Sequence, residues 1–306
     1  NGISGDEGNV RNLIINEIKD CADDIKTDNL GNLIVFKKGK KSAKSKLMVS
    51  AHMDEVGLMV TDITSDGYLK FDEVGGIDRR VLPGKRVCVG RNGLNGVIGV
   101  KPIHLTNGDE KTAVPKMNDM YIDIGAESRE DALKYVNYGD GINFEGDFKI
   151  NGKTVVTKAL DDRFGCYVLI NLIKSEPEYD MYFTFVVQEE VGLRGARSAA
   201  FTVNPDFALV IESTTAADVA EVDVSHQVCN LSKGATVTVM DRATVYDKEM
   251  ISAAFELAEK NNIAVQYKRA VAGGNDSGAI HQSRGGVRTL AVSLPSRYIH
   301  APSTAA

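Results

Sequence analysis

The spacing of apolar residues changes character along the chain and divides it. In VRNLIINEIKDCADDI, residues 10–25, Val10, Leu13, Ile14, Ile18 and Cys21 recur at helical spacing, which predicts an amphipathic helix. NLIVFKK and KLMVSAH follow as short apolar runs that predict strands, so the chain opens α, β, β. From about Thr61 to Asn151 the texture shifts to short β-like runs (GYLKFDEV, KRVCVG, GVIGV, MYIDIG, GINFEG) separated by Gly, Asp and Asn turns. The one helical pattern there is short, around Arg129 to Tyr138. After Lys153 the α/β alternation returns. ALDDRFGCYVLINLIKSE begins as a loop and becomes a helix, and MYFTFVV is a buried strand. LRGARSAAF is helical, and DFALVIE is a strand that ends on a carboxylate. YDKEMISAAFELAEKNNI is an amphipathic helix with Met250, Ile251, Ala254, Leu257 and Ala258 on one side, and VRTLAVSLP is a further strand. The simplest architecture is an α/β catalytic domain, residues 1–60 with 152–306, interrupted by a β-domain at 61–151.

Composition narrows the function classes. The chain has 306 residues, 43% hydrophobic and 25% charged, ordinary for a globular protein of more than one domain. A net charge of -6 argues against nucleic acid or an anionic membrane as partner. No apolar segment is long enough to span a bilayer and no signal peptide is visible, although the chain starts at Asn1 rather than Met. Cys21, Cys88, Cys166 and Cys229 are widely separated, with no C-x-x-C pair to suggest a zinc knot or redox motif. Reduced thiols in a cytoplasmic protein are the expectation. With five histidines in all, the setting of each one is informative.

Candidate chemistry collects where apolar runs end. VVQEEVGLRGAR places Glu189 and Glu190 side by side after a buried strand. Adjacent residues point in different directions, so the two carboxylates are either a polar strand end or two groups with different tasks. His52 and Asp54 follow LMVSA, Asp161 and Asp162 follow TKAL, Glu212 follows ALVI, and His300 follows LAVSLPSRYI. Ligands of open α/β sheets sit beyond the carboxyl ends of the strands. Taken singly, His52 fits a core histidine, Asp161-Asp162 a helix N-cap and His300 a turn. Together they form the ligand chemistry of two zinc, cobalt or manganese ions: His52, Asp161, Glu190, Glu212 and His300 supply one shared ligand and two terminal pairs. Glu189 is then left free beside a metal-tied neighbour, as an acid-base group. Asp54, two residues after His52, can accept the second ring N–H and fix the tautomer. His104, His226 and His281 fit bland roles, and Asp276 fits a helix cap. Arg297, three residues before His300, is either a surface charge or an attractor of acidic side chains.

AHMDEVGLMV, KALDDRFG, VVQEEVGLRGA, IESTTAADV, GGNDSGAIH and RYIHAP together resemble the glutamyl/tetrahedral aminopeptidase family, whose members are sometimes labelled cellulase M or endoglucanase. The resemblance covers nearly the whole chain, and its motifs are specific in order and spacing. It implies a three-layer α/β/α domain of the di-zinc exopeptidase kind with an inserted small β-barrel. It implies two divalent ions per subunit, zinc or cobalt and in some cases manganese. Asp161 would bridge them, His52 and His300 would be histidine ligands, Glu190 a terminal ligand and Glu189 the base. The fifth position, Glu212, is commonly an aspartate in the family. The resemblance further implies a cis peptide at Asp161-Asp162, short peptide substrates, and dimers that assemble into a dodecamer through the β-insert. Two departures stand out: the chain stops soon after His300, where relatives continue into a helix, and DVSHQVCNL is shorter than the usual connection.

Other readings compete. A di-zinc carboxypeptidase or deacylase would use similar ligands but recognise a substrate carboxylate, and its insert is usually a helix-rich sandwich. Glycan cleavage needs two carboxylates flanking a sugar bond and no di-metal water, which the His/carboxylate set disfavours. A scaffold with a dead site conflicts with a complete set of ligands and base.

Overall fold

The computed structural model describes residues 1–306 and is built on an eight-stranded mixed sheet. Its strands are β1 (Asp24–Thr27), β2 (Leu33–Lys37), β3 (Leu47–His52), β12 (Met181–Val186), β13 (Phe207–Thr215), β14 (Ala235–Val237), β15 (Val265–Tyr267) and β16 (Arg288–Ser296), in the order β1-β2-β12-β3-β13-β16-β14-β15. The central four, β12-β3-β13-β16, are parallel. Parallel neighbours put their carboxyl ends on one edge, which is what gathers the polar strand ends of the sequence into one place.

Alternation along these strands builds two cores. Leu33, Val35, Val49, Ala51, Phe183 and Phe185 face helices α1 (Gly8–Ile18) and α3 (Leu160–Lys174). Ile34, Met48, Ala208, Val210 and Ala291 face α4 (Arg194–Val203) and the short α6 (Ser277–Ile280). Helix, sheet and helix are thus three layers, as the α/β rhythm implies. α5 (Lys248–Lys260) lies against β16. Its inward stripe differs from the expected one: Ala258 is buried but Leu257 is exposed, and the half-buried Phe255 takes its place. The first helix is also shorter than expected. It stops at Ile18, because Asp24–Thr27 is claimed by an antiparallel ladder with β2.

Between the third and twelfth strands the chain closes a six-stranded antiparallel barrel. β4 (Gly57–Ile63), β5 (Leu69–Val74), β6 (Arg86–Val89), β7 (Leu94–Gly99), β8 (Tyr121–Asp123) and β9 (Gly141–Phe144) close in the order β4-β5-β8-β7-β6-β9. Fifteen buried apolar residues fill it, among them Leu58, Val87, Ile98 and Ile122, together with Ala132 of the short α2 (Arg129–Ala132). Thr61 lies inside β4. Asn151 ends β10 (Lys149–Asn151), which pairs outside the barrel with β11 (Thr154–Thr157), itself paired with β17 (Thr304–Ala305). No helix is long and apolar enough to cross a membrane.

Phe183 sits in the middle of the α1/α3 core and is fully buried. Truncating it leaves a cavity in a close-packed layer, so Phe183→Ala is expected to cost about 3–5 kcal/mol in reversible denaturant unfolding. A loss under about 1 kcal/mol would mean that this layer is not the tight core described here.

Candidate active site

Strand register assembles the site. β3 ends at His52, and its parallel neighbour β12 pairs Val186 with His52. The chain leaving β12 therefore passes over His52 and Asp54. Gln188 adopts a left-handed conformation (φ 56°) where it turns away from the strand. The next two residues are caught by one carboxylate. Asp54 Oδ1 accepts the Glu189 backbone N–H at 3.0 Å, and Oδ2 accepts that of Glu190 at 3.1 Å and the Ser4 hydroxyl at 2.6 Å. Burial alone would raise the Asp54 carboxyl, but hydrogen bonds from His52, Ser4 and Glu189 outweigh it and hold it below its ordinary value.

On the other side of β3 lies β13, in register from Phe207↔Leu47 to Val210↔Ser50. Two residues further on, Glu212 draws level with His52. Glu212 is not the strand end that the apolar run suggests. Pairing with β16 keeps β13 extended to Thr215, so this carboxylate projects from within the strand.

Asp161 enters from the segment that opens α3, through an Asp161-Asp162 peptide that is cis. The two aspartates part company as the two glutamates do. Asp161 faces both histidines. Asp162 is fully buried, accepts the Gly165 N–H at 3.0 Å in capping fashion, and accepts the His52 backbone N–H at 3.3 Å. Residue 165 must be glycine here, because a Cβ would strike the Asp162 carboxylate. His300 follows β16 in a left-handed conformation (φ 58°), as does Tyr298 (φ 60°). Such conformations cost energy in non-glycine residues and concentrate at functional sites.

The resulting geometry is two triads that share Asp161. His52 Nε2 lies 3.4 Å from Asp161 Oδ1 and 3.4 Å from Glu212 Oε1. His300 Nε2 lies 3.3 Å from Asp161 Oδ2 and 3.2 Å from Glu190 Oε2. Within each triad the potential ligand atoms all fall within 4.8 Å of one another, and His52, Glu189 and Glu190 form a third such group. The other ring nitrogen of His52, Nδ1, is 3.1 Å from the Asp54 main-chain oxygen and 3.4 Å from its carboxylate. The carbonyl is thus the nearer acceptor for the ring N–H, with the carboxylate, which also holds the glutamate backbone, close beside it.

Electrostatically the site is overloaded with acid. Burial, reinforced by Asp161, pushes Glu190 up to about 8, and the same pair of causes pushes Glu212 up to about 7. Burial, with Glu212, Asp276 and Glu190 nearby, drives Glu189 well above the ordinary glutamate value against the pull of His52. Burial would lower both imidazolium groups. Glu212, Asp161 and Asp54 overcome it at His52, and Asp161 with Glu190 overcomes it to raise His300 to about 9.

These residues suit divalent cations. A tetrahedral ion with donors at roughly 2.0–2.1 Å spaces them about 3.3–3.4 Å apart. The four measured His-to-carboxylate separations run from 3.2 to 3.4 Å. Mixed imidazole and carboxylate donors favour zinc, cobalt or manganese. Cations would also relieve the desolvated acids, which otherwise hold protons.

Other expectations resolve differently. Asp276 stands at the start of α6 but makes no cap hydrogen bond, and neither carboxylate oxygen has any partner. Asn275 Oδ1 accepts the Ser277 N–H at 2.9 Å instead. Arg297 is tied to Asp218 at 2.7 Å. His104 and His226 are exposed, and His281 bonds the Ser277 carbonyl at 2.8 Å. Sequence reasoning passed over Ser4 and the separate task of Asp162. Ser4 carries no motif, and Asp162 differs from Asp161 only through backbone direction.

Comparison with known proteins bears on this geometry. A model of the M42 glutamyl aminopeptidase family matches residues 31–306. A TET aminopeptidase from a marine-sediment Thaumarchaeota archaeon superposes with a TM-score of 0.95 at 34% identity, covering 100% of this chain and 88% of that one. The TET1 peptidase of Pyrococcus horikoshii, described as assembling into a tetrahedron or a large octahedral shell, superposes at 0.87 with 41% identity, covering 100% and 90%. A lysyl aminopeptidase of Pyrococcus furiosus is 34% identical over 311 residues, 98% of this chain and 87% of that protein.

Removing the Asp54 carboxylate strands two backbone donors and a hydroxyl in a buried place. Asp54→Ala is therefore expected to lower unfolding stability by about 3–5 kcal/mol in denaturant titration. A change under about 1 kcal/mol would show that the glutamate turn holds without it.

Proposed function

The chain belongs to the M42 glutamyl aminopeptidase family, an aminopeptidase and so a hydrolase of peptide bonds, and on that premise we propose that it releases N-terminal residues from short peptides at a two-metal centre. His52, Asp161 and Glu212 would hold one divalent ion, and Asp161, Glu190 and His300 the other. One observation carries this reading: the two carboxylate oxygens of Asp161 each face a different histidine, and each histidine is completed by a further carboxylate. A divalent pair held there supplies Lewis acidity toward water and the scissile carbonyl alike.

Glu189 is the remaining carboxylate of the pair that Asp54 anchors, and we assign it the proton transfers. It takes a proton from the attacking water and returns one to the leaving amine. The backbone clamp on Glu189 and Glu190 fixes the base relative to a ligand, because the two are consecutive residues held by one carboxylate. Asp54 acts in this way as a positioning residue for Glu189 and His52. The surrounding acids attract the free α-amino group of a peptide, which favours attack at its first bond over internal bonds. Residues 1–60 and 152–306 would serve catalysis. Residues 61–151 would serve assembly into dimers and a dodecamer, together with the shape of the substrate chamber. Ile103, Leu105 and Val114, all exposed on that segment, supply an apolar surface for such contacts. Light scattering on the purified protein is expected to read an oligomer; a stable monomer at micromolar concentration would overturn the assembly role.

Glu189→Gln tests the base directly. The variant is expected to bind metal like the native protein and to lose about 10²–10⁴-fold in kcat. Near-native turnover with metal bound would remove Glu189 from the mechanism.

A further inference from the structure

The turn that carries Glu189 leaves the sheet, and side chains hold it there. Four consecutive backbone N–H groups, Val187 to Glu190, each donate to a side chain: Val187 to Asn32 at 2.9 Å, Gln188 to Glu7 at 3.2 Å, and Glu189 and Glu190 to Asp54. Carbonyls close the loop on itself, with Val187 accepting from Gly195, Gln188 from Arg194, and Glu189 from Gly192 and Leu193. The direction of the loop is decided at Gln188, the one residue of the four in a left-handed conformation. A non-glycine residue adopts that conformation where its surroundings impose it.

The three clamps differ in what else they hold. Asn32 is fully buried and also donates to the Gly195 carbonyl at 2.9 Å, so it fastens both ends of the loop. Asp54 also stands 3.4 Å from His52 Nδ1 and accepts the Ser4 hydroxyl. Glu7 is buried, and its Oε1 accepts the Gln188 N–H and, at 2.7 Å, the Gly5 N–H. Neither partner is a candidate metal ligand, so the influence of Glu7 on the site runs through the turn. The plain alternative is a cap for α1. Glu7 stands at that position, but its side chain makes no cap hydrogen bond.

The segment that bears Glu7 is itself anchored. Gly2 donates to the Glu55 carboxylate at 3.1 Å and accepts the Glu55 N–H at 3.0 Å. Ile3 is buried, and lies so close over Gly57 of β4 and Gly141 of β9 that a Cβ on either would strike it. Residues 2–7 thus form a strap, from which Glu7 reaches a residue 181 positions further on.

We propose that Glu7 is a positioning residue: by holding the Gln188 N–H it fixes the left-handed turn, and with it the aim of the Glu189 carboxylate. The proposal rests on Glu189 as the base. What the turn needs from Glu7 is an acceptor. Burial raises its carboxyl above the ordinary glutamate value, against the Gly5 and Gln188 N–H groups, so a neutral acceptor of the same shape serves in its place.

The test is steady-state kinetics on metal-loaded protein, with whichever of the leucyl, lysyl and glutamyl p-nitroanilides it cleaves fastest. Glu7→Met keeps the volume and removes the acceptor. It is expected to lower kcat about 10–100-fold with KM within about threefold of native, and to leave metal content and the visible spectrum of the Co²⁺-loaded protein unchanged. Glu7→Gln keeps the acceptor and should stay within about threefold of native kcat. In a Glu189→Gln background, Glu7→Met should cost less than about threefold more, since the group it aims is gone. Glu7→Asp stays polar but falls a methylene short; it should lose kcat as Glu7→Met does, and it carries the test if Glu7→Met fails to fold. Native kcat in the variants without the acceptor overturns the proposal. So does Glu7→Gln as impaired as Glu7→Met, an undiminished loss in the Glu189→Gln background, or loss of metal in step with activity. Near-native turnover of Glu189→Gln by itself would overturn the base reading instead, and the proposal with it.

Discussion

Too much negative charge is buried in one place. Asp161, Glu190 and Glu212 crowd the two histidines, and Glu189, Asp162 and Asp276 stand close enough to raise or share the strain. Carboxylates removed from water and set against one another cannot all stay ionised without cations. The architecture follows from the need to hold them there. Four parallel strands align their ends, the start of α3 delivers Asp161 to both histidines, and the stretch after β16 brings in His300. Asp54 binds the arrangement together, since its carboxylate joins the N-terminal segment at Ser4 to the turn that bears both glutamates.

The same charge separates two kinds of acid in the site. Some carboxylates are satisfied by the protein: Asp54 by three donors, Asp162 by two backbone N–H groups. Others face open space and each other. Asp276 has no partner at all. Protein donors fix the geometry, and the unsatisfied acids create the demand that divalent ions and a substrate ammonium can meet.

Much of this was legible in the sequence because strand ends are punctuated. Apolar runs that stop on His52, on Glu189-Glu190 and ahead of His300 marked the sheet edge, and the structure brings those segments together. The separate tasks of adjacent glutamates followed from the alternation of side chains. What the sequence could not show was pairing. Glu212 looked like a strand end, but the length of β13 is set by β16, which is far away in the chain. Asp54 stands beside the His52 ring, as its spacing predicts, but its carboxylate also holds backbone N–H groups 135 and 136 residues further on, which no local pattern reveals. Asp276 looked like a cap, a task that Asn275 performs. Periodicity places Leu257 inward, but it is exposed, while Phe255 stacks on Tyr267 of β15 and Ala258 is buried. Local pattern locates the elements, and long-range contacts decide what each polar atom does.

The most direct measurement is hydrolysis of one short peptide offered with a free and with an acetylated N-terminus. The protein would be stripped with a chelator and then titrated with Zn²⁺, Co²⁺ or Mn²⁺. Release of the first residue, from the free form only and only after metal is restored, is the predicted result. Equal cleavage of both forms, release from the C-terminus, or full activity in the stripped protein would contradict it.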